Sequence, residues 1–327
     1  MLFPAPDPPP LVGIARLAAQ SPLLDAKSRV EYFELESRSI LNRCSSPRMR
    51  FTWTINPYRG CEFGCHYCYA RYTHEFMGLE ESQQFENKIY AKGRAAELLR
   101  QELRRHPDGE IALGTSTDPY QPAERRFRIT RSLLEVFAGK HGRFLSITTK
   151  SNLIKRDIDL LKTVARSNVL HINITITTSD ADLARKLEPR APRPDLRLAA
   201  VAALASAGLS VGVFLNPIVP GLTDGVANLD RVASAAAHAG ARYLGGGILF
   251  LMPSAQKEFF PFLDREFPEL APRYRQRFAH NPYLRGEYAR MIRERVARIR
   301  ARHGLDSAPR DYVPEYGRSE EQLPLFR

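Results

Sequence analysis

Hydrophobic and polar positions follow two rhythms along this chain. Short β-rich runs occur at FTWTIN (51–56), EIALGT (110–115), RFLSITTK (143–150), VLHINITIT (169–177), LSVGVFLNPI (209–218) and YLGGGILFL (243–251). Between them, apolar residues recur at helical spacing over roughly 93–105, 130–140, 155–166, 194–207 and 226–239. The two periods differ because an α-helix turns every ~3.6 residues, whereas a strand points successive side chains to opposite faces. Strands alternating with helices are the signature of βα units and a parallel sheet.

Six such strands are too few for a closed eight-stranded barrel but suit an open, partial one. A doubly wound sheet satisfies the same rhythm. The fold class expected is α/β, a partial (βα)6 TIM-like barrel with an N-terminal lead-in and a C-terminal helical extension. In either architecture functional groups collect at the C-terminal ends of the strands. The expected organisation is a proline-rich tail and lead-in at 1–50, the barrel at 51–252, an Arg-rich helical extension at 253–305 and a tail at 306–327. Five prolines in the first ten residues oppose folding there. Residues 11–50 read as short helical and irregular structure, including the pattern from Tyr32 to Arg43.

Composition narrows the class. At 327 residues, 43% hydrophobic and 26% charged, the sequence is that of a soluble globular protein. No apolar run approaches the ~20 residues of a membrane span, and MLFPAPDPPPLVG lacks the pattern of a secretory signal. Four cysteines, three of them clustered, do not make a disulfide framework. A cytoplasmic location is expected. The net charge of +12 is concentrated between Arg273 and Arg302, where ten Arg stand against Glu287 and Glu294. Such a surplus favours a polyanion such as nucleic acid. The same segment reads as an amphipathic helix packed by Leu284, Tyr288, Ile292, Val296 and Ile299.

The chemistry concentrates in NPYRGCEFGCHYCYARY, which spaces Cys61-x3-Cys65-x2-Cys68 just after the first core strand. Thiolates are soft ligands for iron–sulfur clusters, zinc or copper(I). A structural zinc site favours paired CxxC or a Cys/His quartet. The nearest completers here are His66, wedged between two ligand cysteines, and Cys44, seventeen residues upstream. Three cysteines in one tight loop can instead hold three irons of a four-iron cluster and leave the fourth open to a small ligand. Polar residues also mark the following strand ends. They are Thr115 to Glu124, Thr149-Lys150-Ser151, the one-faced set Asn173, Thr175 and Thr177, and Asn216-Pro217-Ile218. Hydroxyls cap helices and Asn-Pro makes turns, but their succession at neighbouring strand ends points to a shared polar cavity.

The C-x3-C-x2-C spacing, with aromatic Tyr67 before the last cysteine, resembles the radical S-adenosylmethionine (SAM) superfamily. GTSTDPYQPAE, FLSITTKS, LEPRAPRP and NPIVPGLTD, with SILNR and TINPYRGC, resemble its spore-photoproduct-lyase-like, DNA-repair-photolyase-like branch over about residues 30 to 260. The resemblance implies a barrel of the radical SAM type and a 4Fe-4S cluster on Cys61, Cys65 and Cys68. It further implies SAM against Tyr67, Thr117, Lys150, Thr175 and Asn216, cleaved reductively to a 5′-deoxyadenosyl radical with electrons from a flavodoxin- or ferredoxin-type donor. The implied substrate is nucleic acid, as in DNA repair. RNA, protein or a small metabolite is the alternative substrate, and a non-catalytic nucleic-acid or sliding-clamp adaptor is a third reading.

One departure is informative. The lyase branch carries a hydrogen-donating cysteine at the end of its second strand, and Thr115 to Asp118 contains none. Tyr120 and Cys44 are the catalytic candidates in its place. Gln121, Glu124, Glu188 and Arg190 are expected on a substrate rim. The ending QLPLF, with Gln322, Leu323, Leu325 and Phe326, resembles the peptide by which bacterial proteins bind the sliding clamp.

Overall fold

The computed structural model describes residues 11–46, 49–105 and 109–305. The proline-rich start and the Gln322–Phe326 motif lie outside the described residues.

The lead-in departs from its helical and irregular reading. After a short helix at Gly13–Ala19, Leu23–Lys27 (β1) and Val30–Glu34 (β2) form an antiparallel hairpin, and Leu41–Arg43 (β3) is a further strand. The β-branched and aromatic residues of VEYFE suit a pleated surface, but their partner lies far along the chain. The next strands are Trp53–Ile55 (β4), Tyr58–Arg59 (β5) and Lys88–Ala91 (β6). β2 runs parallel to β6, and β6 pairs antiparallel with β5, giving a small sheet ordered β1-β2-β6-β5.

Glu110–Leu113 (β7), Phe144–Thr149 (β8), Val169–Thr175 (β9), Val211–Ile218 (β10) and Tyr243–Ile248 (β11) complete the main sheet. Its order is β11-β10-β9-β8-β7-β4-β3. Each of the six parallel strands lies beside its successor, with registers such as Trp53↔Ile111, Glu110↔Phe144 and Phe144↔Val169. The order never reverses, which rules out the doubly wound arrangement and leaves the open (βα)6 sheet the rhythm predicts. β3 joins β4 antiparallel, with Arg43 opposite Trp53.

The helices between strands begin and end near the predicted limits: Ala95–Arg105, Ile129–Ala138, Ile158–Ser167, Pro194–Ser206 and Val226–His238. Their apolar faces carry Leu99, Leu133, Phe137, Leu161, Val201, Leu204 and Val232, all buried against strand residues such as Ile147, Ile172 and Val213. No helix among the described residues is long and apolar enough to cross a membrane.

Three helices follow the sheet: Pro253–Glu266, Ala271–Phe278 and Gly286–Arg302. The last buries Ile292, Val296 and Ile299 against β11 and the Val226–His238 helix. It therefore covers the terminal strand while its Arg side chains face outward. The first two contribute Phe259, Phe262, Leu263, Tyr274 and Phe278 to a second apolar cluster that also contains Cys61, Phe63, Cys65, Tyr67 and Leu187. Burial of each such phenyl ring contributes about 1.5–3 kcal/mol, so the C-terminal helices brace the cysteine loop.

Candidate active site

The cysteine loop begins with a turn that requires glycine. Gly60 has φ 81°, and a Cβ there would lie 2.7 Å from the Phe85 carbonyl oxygen and 2.8 Å from that of Lys88. That close approach lets the Cys61 amide donate to the Phe85 carbonyl at 3.0 Å. The loop then tightens as the Cys68 amide donates to the Cys65 carbonyl at 3.1 Å. Arg71, ion-paired with Glu86 at 2.7 Å, also donates to the Cys65 carbonyl. His66 is turned away from the thiols: its Nδ1 meets Glu258 at 2.8 Å and its ring stacks on Phe262. It therefore does not complete a zinc quartet.

Cys44 is corrected as a catalytic candidate. Its amide donates to Thr52, immediately upstream of β4, while the cysteine loop follows the downstream end of that strand. Antiparallel β3 carries Cys44 to the opposite end of the sheet.

The segment after β7 fastens the loop from the other side. The Thr117 hydroxyl donates to the Gly60 carbonyl at 2.6 Å, and the Gln121 amide donates to the same carbonyl and to Thr117 Oγ1. Gln121 Oε1 accepts from the Glu62 amide, and Glu62 accepts from Tyr32 and from the Ala123 amide. Gln121 is fully buried, so the rim expectation fails for it. Glu124 is equally buried and accepts from Tyr58, Thr130 and Arg156. Tyr120 is sealed in the main core, where burial and the Asp157 and Glu124 carboxylates push its phenol well above the usual range. It stands as a core residue with no exposed edge.

Asp118 ties two strand ends together. It accepts from Thr149 Oγ1 at 2.6 Å, from the Tyr120 amide and from the Lys150 amide at 2.7 Å. Burial raises its pKa despite these three donors. The Lys150 ammonium lies 5.7 Å from the centre of the Tyr67 ring. Burial disfavours its charge, but Cys65, Glu188 and Asp118 outweigh burial and keep it protonated. Among the described residues it makes no hydrogen bond, so its donors are spare.

Glu188 also lies inside rather than on a rim. It is 1% exposed, accepts from the Tyr67 phenol and from Thr177 at 2.6 Å, and pairs with Arg197 at 2.5 Å. Burial opposes its ionisation, yet Arg197 and Lys150 hold its pKa down at about 2. Arg197 donates onward to the carbonyls of Thr175 and Pro192. Thr175 itself is buried at the end of β9. Of the rim set, Arg190 alone is exposed, and it reaches Asn87 at 3.2 Å.

At the end of β10, Asn216 Oδ1 is buried without a hydrogen-bond partner. Facing it is Gly247, where a Cβ would lie 2.9 Å from that oxygen; at Gly245 a Cβ would strike the Phe214 ring at 2.7 Å. The GGG of β11 thus opens a cradle that any side chain would fill.

The donor set fits an iron–sulfur cluster. Burial, reinforced by Asp118 and the neighbouring thiols, raises the Cys61 pKa well above its ordinary value. Burial also lifts Cys65 to about 12, against the pull of Lys150, and raises Cys68. In surroundings this dry, thiolates require a cation. The spare ammonium of Lys150 and the orphan acceptor of Asn216 suit a SAM carboxylate and ribose hydroxyl.

Arg197 escapes sequence reading because an Arg within a helical pattern looks like a solvated charge, and Arg71 because its partner Glu86 lies fifteen residues on. Tyr69, whose phenol donates to the Thr115 carbonyl, is signalled only by its place beside Cys68.

Comparison with known proteins identifies the family. The Radical SAM superfamily profile matches residues 55–233. An uncharacterised protein of Mycobacterium tuberculosis (strain H37Rv) is 35% identical over 308 residues, covering 93% of this chain and 89% of its own length. An uncharacterised protein of Methanocaldococcus jannaschii is 27% identical over 242 residues, or 74% and 86% of the two chains. Among solved structures, spore photoproduct lyase complexed with dinucleoside spore photoproduct aligns with a TM-score of 0.58 at 16% identity, covering 83% of this chain and 79% of that one. That last likeness is one of fold.

Proposed function

This chain belongs to the radical SAM superfamily and is a radical SAM enzyme; from that premise we propose that Cys61, Cys65 and Cys68 hold its 4Fe-4S cluster and that it acts on nucleic acid. When bound, the reduced cluster and SAM together supply a 5′-deoxyadenosyl radical by cleavage of the sulfonium bond. The chain's own residues bind and orient. Lys150 takes the SAM carboxylate, Asn216 takes a ribose hydroxyl, and Tyr67 and Thr175 wall the site. Thr117 secures the Gly60 carbonyl, so its part is to hold the cysteine loop. A flavodoxin- or ferredoxin-type protein supplies the electron.

The observation that carries this reading is the placement of three thiols at the C-terminal end of the first parallel strand, with the spare Lys150 and Asn216 groups at later strand ends. Anaerobic reconstitution tests it. About four irons per chain and reductive formation of 5′-deoxyadenosine support the assignment; stoichiometric colourless zinc without cleavage overturns it.

Nucleic acid is favoured by the basic face. A surface groove of about 590 Å³ is lined by Arg277, Arg285 and Arg290 with Tyr288, Met291, Glu287 and Glu294. Arg277 lies 5.1 Å from the Tyr288 ring centre, and such cation–aromatic surfaces suit phosphates and bases together. The solved structure of spore photoproduct lyase with its dinucleoside lesion supports the same substrate class by analogy of fold. SAM deuterated at the 5′ carbon provides the test. Label in DNA is expected, whereas label in RNA, protein or a metabolite alone overturns the preference. Gln322, Leu323, Leu325 and Phe326 would dock a bacterial sliding clamp; unchanged clamp affinity after deletion of 322–327 would sink that part.

A further inference from the structure

Beside the small sheet, buried Lys92 and half-buried Arg59 have no anion among the described residues. Tyr58 of β5 enters the main core, so strand alternation turns Arg59 to the opposite face. Arg59 pairs in register with Tyr90 of β6. Lys92 follows that strand directly, and its amide donates to the Pro57 carbonyl at 3.1 Å. Lys92 is 6% exposed, and Arg59 is half-buried with its Nε sealed from solvent and unpartnered. Neither side chain makes an ion pair or hydrogen bond among the described residues.

The surrounding charges do not supply the missing partner. Burial and Arg59 draw the Lys92 ammonium down to about 7, against a single opposing carboxylate, Glu102. That carboxylate is already spent on the backbone amides of Ile40 and Leu41, the latter at 2.7 Å. His74, close by, is held neutral: its Nε2 donates to the Lys88 carbonyl, and burial lowers its pKa to about 4. Adjacent buried like charges are costly unless a charged, hydrogen-bonding partner completes them.

We propose that Arg59 and Lys92 form a seat for a phosphate group. A guanidinium edge and an ammonium present several donors to one tetrahedral oxyanion. Arg59 supplies one positive charge, and an oxyanion seated beside Lys92 favours its protonated form, so the pair matches a phosphate monoester dianion or a phosphodiester. Arg59 stands two residues before Cys61 in the chain.

The test uses the full chain before iron reconstitution, so it stands apart from the cluster assignment. Binding of inorganic phosphate is measured by calorimetry and by the rise in Tm. Saturable binding is expected, weakened about tenfold or more by Lys92→Met and by Arg59→Gln, the loss of one charge-assisted contact. Lys92→Met keeps the length and apolar stem of the side chain, so it carries the test if Arg59→Gln folds poorly. A single-stranded oligonucleotide without terminal phosphate is the second probe. Its competition with phosphate identifies a phosphodiester seat, and its failure to compete identifies a free or terminal phosphate. No saturable binding by the wild-type chain, or binding unchanged in Lys92→Met, overturns the proposal.

Discussion

Arg197 and Glu188, both 1% exposed, stand 2.5 Å apart, and the same carboxylate accepts the phenol of Tyr67 from within the cysteine loop. One ion pair therefore joins the LEPR segment, the end of β9 and the proposed cluster site. The sequence separation hides a direct mechanical link, since Tyr67 and Glu188 meet across the mouth of the sheet.

Removing one partner of this pair should cost far more than removing both. Arg197→Met leaves a buried carboxylate without its cation, a loss of about 3–5 kcal/mol in urea unfolding. Adding Glu188→Gln to Arg197→Met should recover much of that loss, because the uncompensated charge is gone. A double variant no more stable than Arg197→Met would show that packing by the guanidinium, not charge, is what counts.

Iron content should separate the four cysteines. Alanine at Cys61, Cys65 or Cys68 is expected to abolish the four-iron visible absorbance and SAM cleavage. Cys44→Ala should keep both, since Cys44 lies at the other end of the sheet beside Thr52. Loss of iron in Cys44→Ala would overturn the ligand assignment.

Acid should loosen the support of the cysteine loop through His74. This ring packs behind Gly60 and against Phe85, and burial depresses its pKa from 6.5 to about 4. Between those values the unfolded chain binds the proton and the folded chain does not. Stability from this group is thus complete above about pH 6.5 and falls as pH drops toward 4, by about 3 kcal/mol in all. His74→Gln keeps a donor for the Lys88 carbonyl and does not titrate. Its unfolding free energy should lose about 3 kcal/mol less than wild type between pH 7 and pH 4.

What local pattern reveals here is what local forces determine. The six parallel strands and their helices are legible because each sets its own period and its neighbour follows in the chain. β5 and β6 are not, since Tyr58–Arg59 is two residues long and meets Lys88–Ala91 only after the cysteine loop has intervened. The three-cysteine loop stands out by its spacing, and the ligand role proposed for it comes from the family it resembles. Gln121, Glu124 and Glu188 are polar enough to read as rim residues, yet each is buried because remote partners satisfy it: Gly60, Arg156 and Arg197. A carboxylate's place depends on its cation, and no local pattern shows where that cation comes from.

Asn216 offers a sharper discriminator, because binding and stability should move in opposite directions there. Its Oδ1 is buried and unpartnered, a state that costs the protein without SAM about 1–3 kcal/mol. Asn216→Ala removes that orphan acceptor, so the SAM-free chain should resist denaturant as well as wild type or better. The same change removes the hydrogen bond proposed to SAM, and the KM for SAM should rise about tenfold. An Asn serving only the fold would behave in the reverse way, with stability lost and SAM binding intact. Gly247→Ala approaches the same contact from the other strand. Its Cβ would stand 2.9 Å from Oδ1, tighter than ordinary contact, and would push the amide from its position while leaving Asn216 in the sequence. A raised KM for SAM in both variants, with iron content unchanged, would place the defect in cofactor binding at the β10–β11 cradle and not in the cysteine loop. If Gly247→Ala binds SAM as wild type does, the cradle is wide enough without glycine, and Asn216 loses its claim on the ribose.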